Sequence, residues 1–121
     1  MGRTVLVVED YEDTRLFMKF MLESYGYQVF EAADGLEAVK SSKDNCPDLI
    51  LMDISMPVMD GITATKTIRK FKRGGDVPII AVTAHGNDFE KKARDAGFNE
   101  MIGKPIDFDK FETVVHHYLE D

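Results

Sequence analysis

The sequence predicts an α/β domain, a doubly wound parallel sheet with helices on both faces. Three observations predict it. Strand-like and helix-like stretches alternate five times along the 121 residues. The third and fourth strand-like stretches, around Leu49-Ile50-Leu51-Met52 and Ile79-Ile80-Ala81-Val82, are apolar at consecutive positions rather than at alternate ones. That pattern marks strands buried on both faces. Finally, these stretches break off abruptly on polar groups: Glu9-Asp10, Asp53, Thr83 and Lys104.

The elements follow in order. Thr4 to Val8 is a β-branched apolar run ending in two acids. From about Glu12 to Tyr25 the spacing turns helical, with Thr14, Phe17, Met18, Met21 and Tyr25 on one stripe. Leu16, Phe20 and Leu22 widen that stripe, so the expectation is a broad core face, and Gly26 stops the helix. Tyr27 to Ala32 is a second strand. Asp34 caps a helix to about Lys43, on which Leu36 and Val39 give a thin apolar face. Asn45-Cys46-Pro47 breaks the chain before the third strand, which runs into Asp53.

Asp60 reads as the cap of a third helix lined by Ile62, Thr65, Ile68 and Phe71. Lys72 to Asp76 is a loop, too short for an interdomain linker. Val77 to Val82 is the fourth strand, ending in Thr83-Ala84. Asn87 and Glu90 have capping-box spacing before a short helix that stops at Gly97. Asn99 to Gly103 is the fifth strand. Asp107 caps a last helix carrying Phe108, Phe111, Val115, Tyr118 and Leu119. Such alternation implies parallel strands and right-handed crossovers. The expected architecture is a flavodoxin-like (βα)5 domain over residues 1–121, with strand order 2-1-3-4-5.

Composition narrows the function. Hydrophobic residues are 44% and charged ones 31%, as in a soluble globular domain. The net charge of −7 argues against direct nucleic-acid binding, which needs a basic footprint. One cysteine excludes an internal disulfide and suits a reducing compartment. No apolar run approaches a membrane span, and Met1-Gly2-Arg3 leads straight into a strand. The expected location is the cytoplasm.

In the expected strand order, Glu9, Asp10, Asp53, Thr83 and Lys104 all fall on the C-terminal edge of one sheet, where open α/β sheets bind ligands. Alone, each has a bland reading as a solvated cap, strand end or surface lysine. Together they bring three carboxylates, a hydroxyl and an ammonium to one shallow pocket. Packed carboxylates repel unless a cation neutralises them. With hard oxygen ligands and no His or Cys cluster, that cation is expected to be Mg2+, with Mn2+ as a substitute. Asp10 and Asp53 are the expected direct ligands, Glu9 binds directly or through water, and the Ser55 backbone carbonyl completes the set. A metal-bound carboxylate beside a lysine suits phosphoryl transfer, with Asp53 as nucleophile and Lys104 and Thr83 on the phosphoryl oxygens. His85 would lie near the pocket rim, and His116-His117 is expected to be solvated.

Val5-Leu6-Val7-Val8-Glu9-Asp10, Leu51-Met52-Asp53-Ile54-Ser55-Met56-Pro57-Val58-Met59-Asp60-Gly61, Val82-Thr83-Ala84 and Gly103-Lys104-Pro105 together resemble the receiver domain of bacterial two-component response regulators. The resemblance covers essentially the whole chain, at chemotaxis-type single-domain size. It implies a phosphorylation-dependent switch that takes a phosphoryl group onto Asp53 from a phosphohistidine of a histidine kinase or histidine phosphotransfer protein. It also implies a Mg2+ requirement, slow self-catalysed hydrolysis, and a cis Lys104-Pro105 peptide. Thr83 is the implied switch residue, and Met101 stands where such domains usually carry an aromatic partner. The implied output surface, for a downstream protein or output domain, is the face made by the fourth helix, fifth strand and fifth helix. The chain would act as a monomer or a phosphorylation-dependent dimer, either alone or as part of a longer protein.

Two other functions compete. An aspartate-nucleophile phosphohydrolase of the haloacid-dehalogenase type needs a second Asp two residues after the nucleophile, where this chain has Ser55, and a cap for which it has no spare length. A flavodoxin-type cofactor carrier needs a phosphate-binding loop after the first strand, where Glu9-Asp10 would repel a phosphate. The expectation is therefore a phosphoacceptor rather than a turnover enzyme.

Overall fold

Strand and helix alternate along the chain: β1 (Thr4–Val8), α1 (Glu12–Ser24), β2 (Gln28–Ala32), α2 (Gly35–Asn45), β3 (Leu49–Asp53), α3 (Gly61–Arg69), β4 (Ile79–Thr83), α4 (Glu90–Ala96), β5 (Glu100–Gly103) and α5 (Phe108–Leu119). The structure is a computed structural model and describes residues 2–54, 56, 59–71, 75–84 and 90–120. The strands form one parallel sheet of order β2-β1-β3-β4-β5. This is the doubly wound arrangement expected from the sequence, with the order reversing between β1 and β3.

The unbroken apolar runs become intelligible in the packing. Val5, Val7, Leu49, Leu51, Ile80 and Val82 turn to one face and meet Met18 and Leu22 of α1 and Phe111, Val114, Val115 and Leu119 of α5. Leu6, Val8, Ile50, Met52, Ile79 and Ala81 turn to the other and meet α2, α3 and α4 through Ala38, Ala64, Ile68, Ala93 and Ala96. Every residue of β3 and of β4 is buried.

The helix starts are built as expected where they are described. The Asp34 carboxylate accepts from the Glu37 N–H at 2.8 Å, and Asp60 accepts from the Thr63 N–H at 2.8 Å. Asp107 accepts from the Asp109 and Lys110 N–H groups. Asn87, the expected cap of α4, lies outside the described residues. Glycines at positive φ stop α1 and α4, at Gly26 and Gly97.

Three expectations are corrected. Leu36 is exposed, whereas Val39 packs partly buried against the core as expected, and α2 also buries the small side chains of Ala38 and Ser42. The α1 stripe is narrower than expected: Met18 and Leu22 are buried, while Leu16, Phe17 and Phe20 are exposed. Phe17 packs on Phe108, ring centroids 4.9 Å apart, so both stay at the surface. His116 is half-buried rather than solvated, its ring edge-on to Tyr25 and Tyr27 at 5.5 and 6.0 Å. His117 is exposed.

One clamp was not anticipated. Arg69, at the end of α3, donates to the carbonyls of Gly97 (3.0 and 2.7 Å) and Val77 (2.6 Å) and to the Asn99 side chain (2.9 Å). It ties the start of β4 and the α4–β5 turn to α3.

Candidate functional site

Strand register brings the polar ends together. Val8 pairs with Met52, so the residues that follow them, Glu9 and Asp53, emerge side by side. Asp53 pairs with Val82, which sets Thr83 one step further along. Thr83 pairs with Gly103, and Lys104 is next in the chain. The Lys104 N–H continues that ladder, donating to the Thr83 carbonyl at 2.9 Å. The Lys104-Pro105 peptide is cis, as the resemblance implied.

Ligand oxygens of Glu9, Asp10 and Asp53 all lie within 4.8 Å of one another. Glu9 is 1% exposed and Asp53 5%, whereas Asp10 is exposed. Thr83 is buried at the same edge. Lys104 Nζ lies 2.7 Å from Glu9 Oε1 and 3.8 Å from Asp53 Oδ2. Burial works to lower the pKa of this ammonium. The hydrogen bond to Glu9 and the charges of Asp53, Glu9 and Asp10 outweigh burial, and the pKa is raised.

Glu9 is held at each of its polar groups. Its N–H donates to the Ala32 carbonyl at 3.0 Å. Its carboxylate accepts from Lys104 at 2.7 Å and from the Tyr11 N–H at 3.2 Å. Its carbonyl accepts from Arg15 Nη1 at 3.0 Å. Sequence reasoning missed Arg15. The faint signal was an arginine one turn into the helix that follows the acidic pair.

The donor set fits a hard divalent cation: three carboxylates, one of them open to solvent, gathered at a strand edge. Two expected features, the Ser55 carbonyl and the His85 rim position, lie outside the described residues.

Met101 sits partly buried on the α4 side of β5. With Thr83, Ala93, Phe98 and Ile102 it lines a cavity of about 570 Å3 between α4 and β5. A second concavity, of about 380 Å3, runs from Lys104 and Pro105 along Phe17, Met21, Ile106 and Phe108. Of its lining residues Phe17 and Phe108 are exposed, and on or just before α1 Tyr11, Leu16 and Phe20 are exposed as well.

The family model of the response regulator receiver domain matches residues 5–116. The chain is 34% identical to the polar-differentiation response regulator DivK of Brucella ovis, over all of this chain and 99% of that protein. Among solved structures it resembles the receiver domain of the sensor histidine kinase PA1611 from Pseudomonas aeruginosa PAO1, which has a magnesium ion coordinated in its active-site cleft. The TM-score is 0.92 and the identity 35%, with all of both chains covered. It also resembles the co-crystal structure of the Saccharomyces cerevisiae histidine phosphotransfer protein Ypd1 with the receiver domain of its downstream response regulator Ssk1. There the TM-score is 0.89 and the identity 28%, covering 97% of this chain and 88% of that one. With its sheet order, its acidic strand edge and a family match over nearly its whole length, the chain belongs to the response regulator receiver domains.

Proposed function

We propose that the chain is a phosphorylation-dependent signalling switch in which Asp53 accepts a phosphoryl group from a phosphohistidine, as a single receiver unit over residues 1–121. The observation that carries this reading is the grouping of the nearly buried Asp53 with Glu9, Asp10 and Lys104. Asp53, Asp10 and Glu9 would hold Mg2+, with the Ser55 carbonyl as a further ligand. The bound ion would supply neutralisation of charge on the phosphoryl oxygens.

The chain's own groups do the rest. An Asp53 carboxylate oxygen attacks phosphorus in line, a P–O bond forms, and the P–N bond to the donor imidazole breaks. That nitrogen leaves with the bonding pair and takes up a proton. A carboxylate needs no base to activate it. Lys104 gives a fixed positive charge to the phosphoryl oxygens, and Thr83 offers a hydroxyl. Water later removes the group, so the cycle is a switch rather than turnover on a substrate pool.

The expected donor is a histidine kinase or histidine phosphotransfer protein. The groove lined by Phe17, Met21, Ile106 and Phe108 supports a protein donor, since it reaches Lys104 and two of its aromatic rings are exposed. Output would leave through the face of α4, β5 and α5; Thr83 and Met101 line one cavity between the first two, which supports the α4–β5 part of that route. Among the described residues no helix is long and apolar enough to cross a membrane. A cytoplasmic setting suits the composition, with a single cysteine that is exposed.

The test is labelling with acetyl phosphate and Mg2+. One phosphoryl group per chain is expected, lost in Asp53→Asn. Undiminished labelling of Asp53→Asn would sink the assignment.

A further inference from the structure

We infer that Arg15 is a positioning residue of the metal site, acting through the Glu9–Asp10 peptide; this rests on the reading above. Arg15 lies in the first turn of α1, and its side chain is only 17% exposed. Nη1 donates to the Glu9 carbonyl at 3.0 Å, and Nε donates to Glu31 Oε1 on β2 at 3.1 Å. Glu31 is held from the other side by Lys19 of α1, at 3.4 Å. The planar guanidinium is thus locked between an anchored carboxylate and one peptide carbonyl.

That carbonyl belongs to the peptide between the two acids. Its plane sets the direction in which the chain leaves β1, and with it the position of Asp10. The N–H side of Glu9 is fixed by Ala32 and its carboxylate by Lys104 and the Tyr11 N–H. Arg15 fixes the remaining group. Asp10 is exposed, yet its ligand oxygen stays within 4.8 Å of those of Glu9 and Asp53. A carboxylate at the surface keeps such a position at low entropic cost when the peptide before it is held. Groups that orient ligands from behind typically matter about tenfold or more for metal affinity.

The sign of the effect separates positioning from simple charge. Arg15 is a cation near a cation site, so by Coulomb's law alone its removal tightens Mg2+ binding. Positioning predicts the opposite. The experiment is calorimetric titration of the full chain with Mg2+ for wild type, Arg15→Gln, Arg15→Lys and Glu31→Gln, each with its metal-free thermal midpoint. Arg15→Gln is expected to bind Mg2+ about tenfold more weakly. Arg15→Lys keeps the charge but not the fork, and falls between. Glu31→Gln loosens the anchor and also weakens binding, a sign that the loss of its charge predicts too, so the decision rests on the two Arg15 variants.

A folded Arg15→Gln with unchanged or tighter Mg2+ binding overturns the inference. If that variant does not fold, Arg15→Lys decides: it keeps the charge, so Mg2+ binding unchanged from wild type overturns the inference. A wild type that takes up no Mg2+ overturns the metal reading itself, and this inference with it.

Discussion

Lys104 and Glu9 form a 2.7 Å ion pair, while the Lys104 ammonium stands 3.8 Å from Asp53. The lysine's nearer partner is therefore Glu9, proposed only as a metal ligand, rather than Asp53, the proposed phosphoacceptor. Two consequences have opposite signs. A cation entering the acidic cluster meets a positive charge already there, whereas a phosphoryl group arriving on Asp53 gains it.

Lys104→Met should therefore bind Mg2+ more tightly and be phosphorylated more slowly. A partly exposed charge at this range is worth on the order of 1 kcal/mol, or about a fivefold gain in Mg2+ affinity. The loss in labelling rate should be about tenfold or more, since the lysine acts where charge builds up. Calorimetry and acetyl phosphate labelling measure the two. Weaker Mg2+ binding in the variant would mean that Lys104 orders Glu9 more than it competes. The pair has a pH signature too. The Lys104 pKa is raised in the fold, against burial and through Glu9, Asp53 and Asp10. Its stabilising contribution is thus fully present below the unfolded lysine value of about 10.5. It is lost as pH rises through the higher folded value. The stability gap between wild type and Lys104→Met should be level through neutral pH and close only in strong alkali.

Gly61 offers a second prediction, about how Asp53 is held. A Cβ built at Gly61 would run into the Asp53 carbonyl, and the Gly61 N–H donates to the Ile54 carbonyl at 2.9 Å. The glycine is there so that the start of α3 can lie against the end of β3. Gly61→Ala should cost about 1–3 kcal/mol in urea unfolding, because backbone must move to make room. Gly103→Ala is the control at the same sheet edge. A Cβ there meets nothing within 4 Å, and the change should stay within about 0.5 kcal/mol. Equal costs at both positions would refute the steric account.

These two sites also mark what the sequence made legible. Asp53, Thr83 and Lys104 could be placed because Asp53 and Thr83 end apolar strands, Lys104 follows β5, and parallel register carries such ends to one edge. The caps Asp34, Asp60 and Asp107 could be read because capping is local. Arg15 and Arg69 could not, since they act on backbone carbonyls that tertiary packing delivers and no periodicity encodes. Leu36 misled because apolarity alone does not distinguish a core position from a surface one. In α2 the buried positions include the small residues Ala38 and Ser42, which a hydrophobic pattern underweights. Phe17 and Phe108 misled in a related way: each covers part of the other without leaving the surface.

Met101 carries the last prediction. It shares a cavity of about 570 Å3 with Thr83, Ala93 and Phe98. A flexible thioether can shift within such a space at low cost. If charge arriving on Asp53 draws the Thr83 hydroxyl, the rearranged volume has to be taken up by the groups lining the cavity, and Met101 is the adaptable one. Amide and methyl NMR with and without beryllofluoride should therefore show the resonances of Met101 and Ala93 moving as well as those of Asp53 and Thr83. Met101→Phe should fold with a stability change within about 1.5 kcal/mol, since open space lies beside the ring. Its ring current should then enlarge the beryllofluoride-dependent shift of the Ala93 methyl. Shifts confined to Asp10, Asp53 and Thr83 in both proteins would mean that the cavity does not respond, and the proposed output route through α4 and β5 would have to be given up.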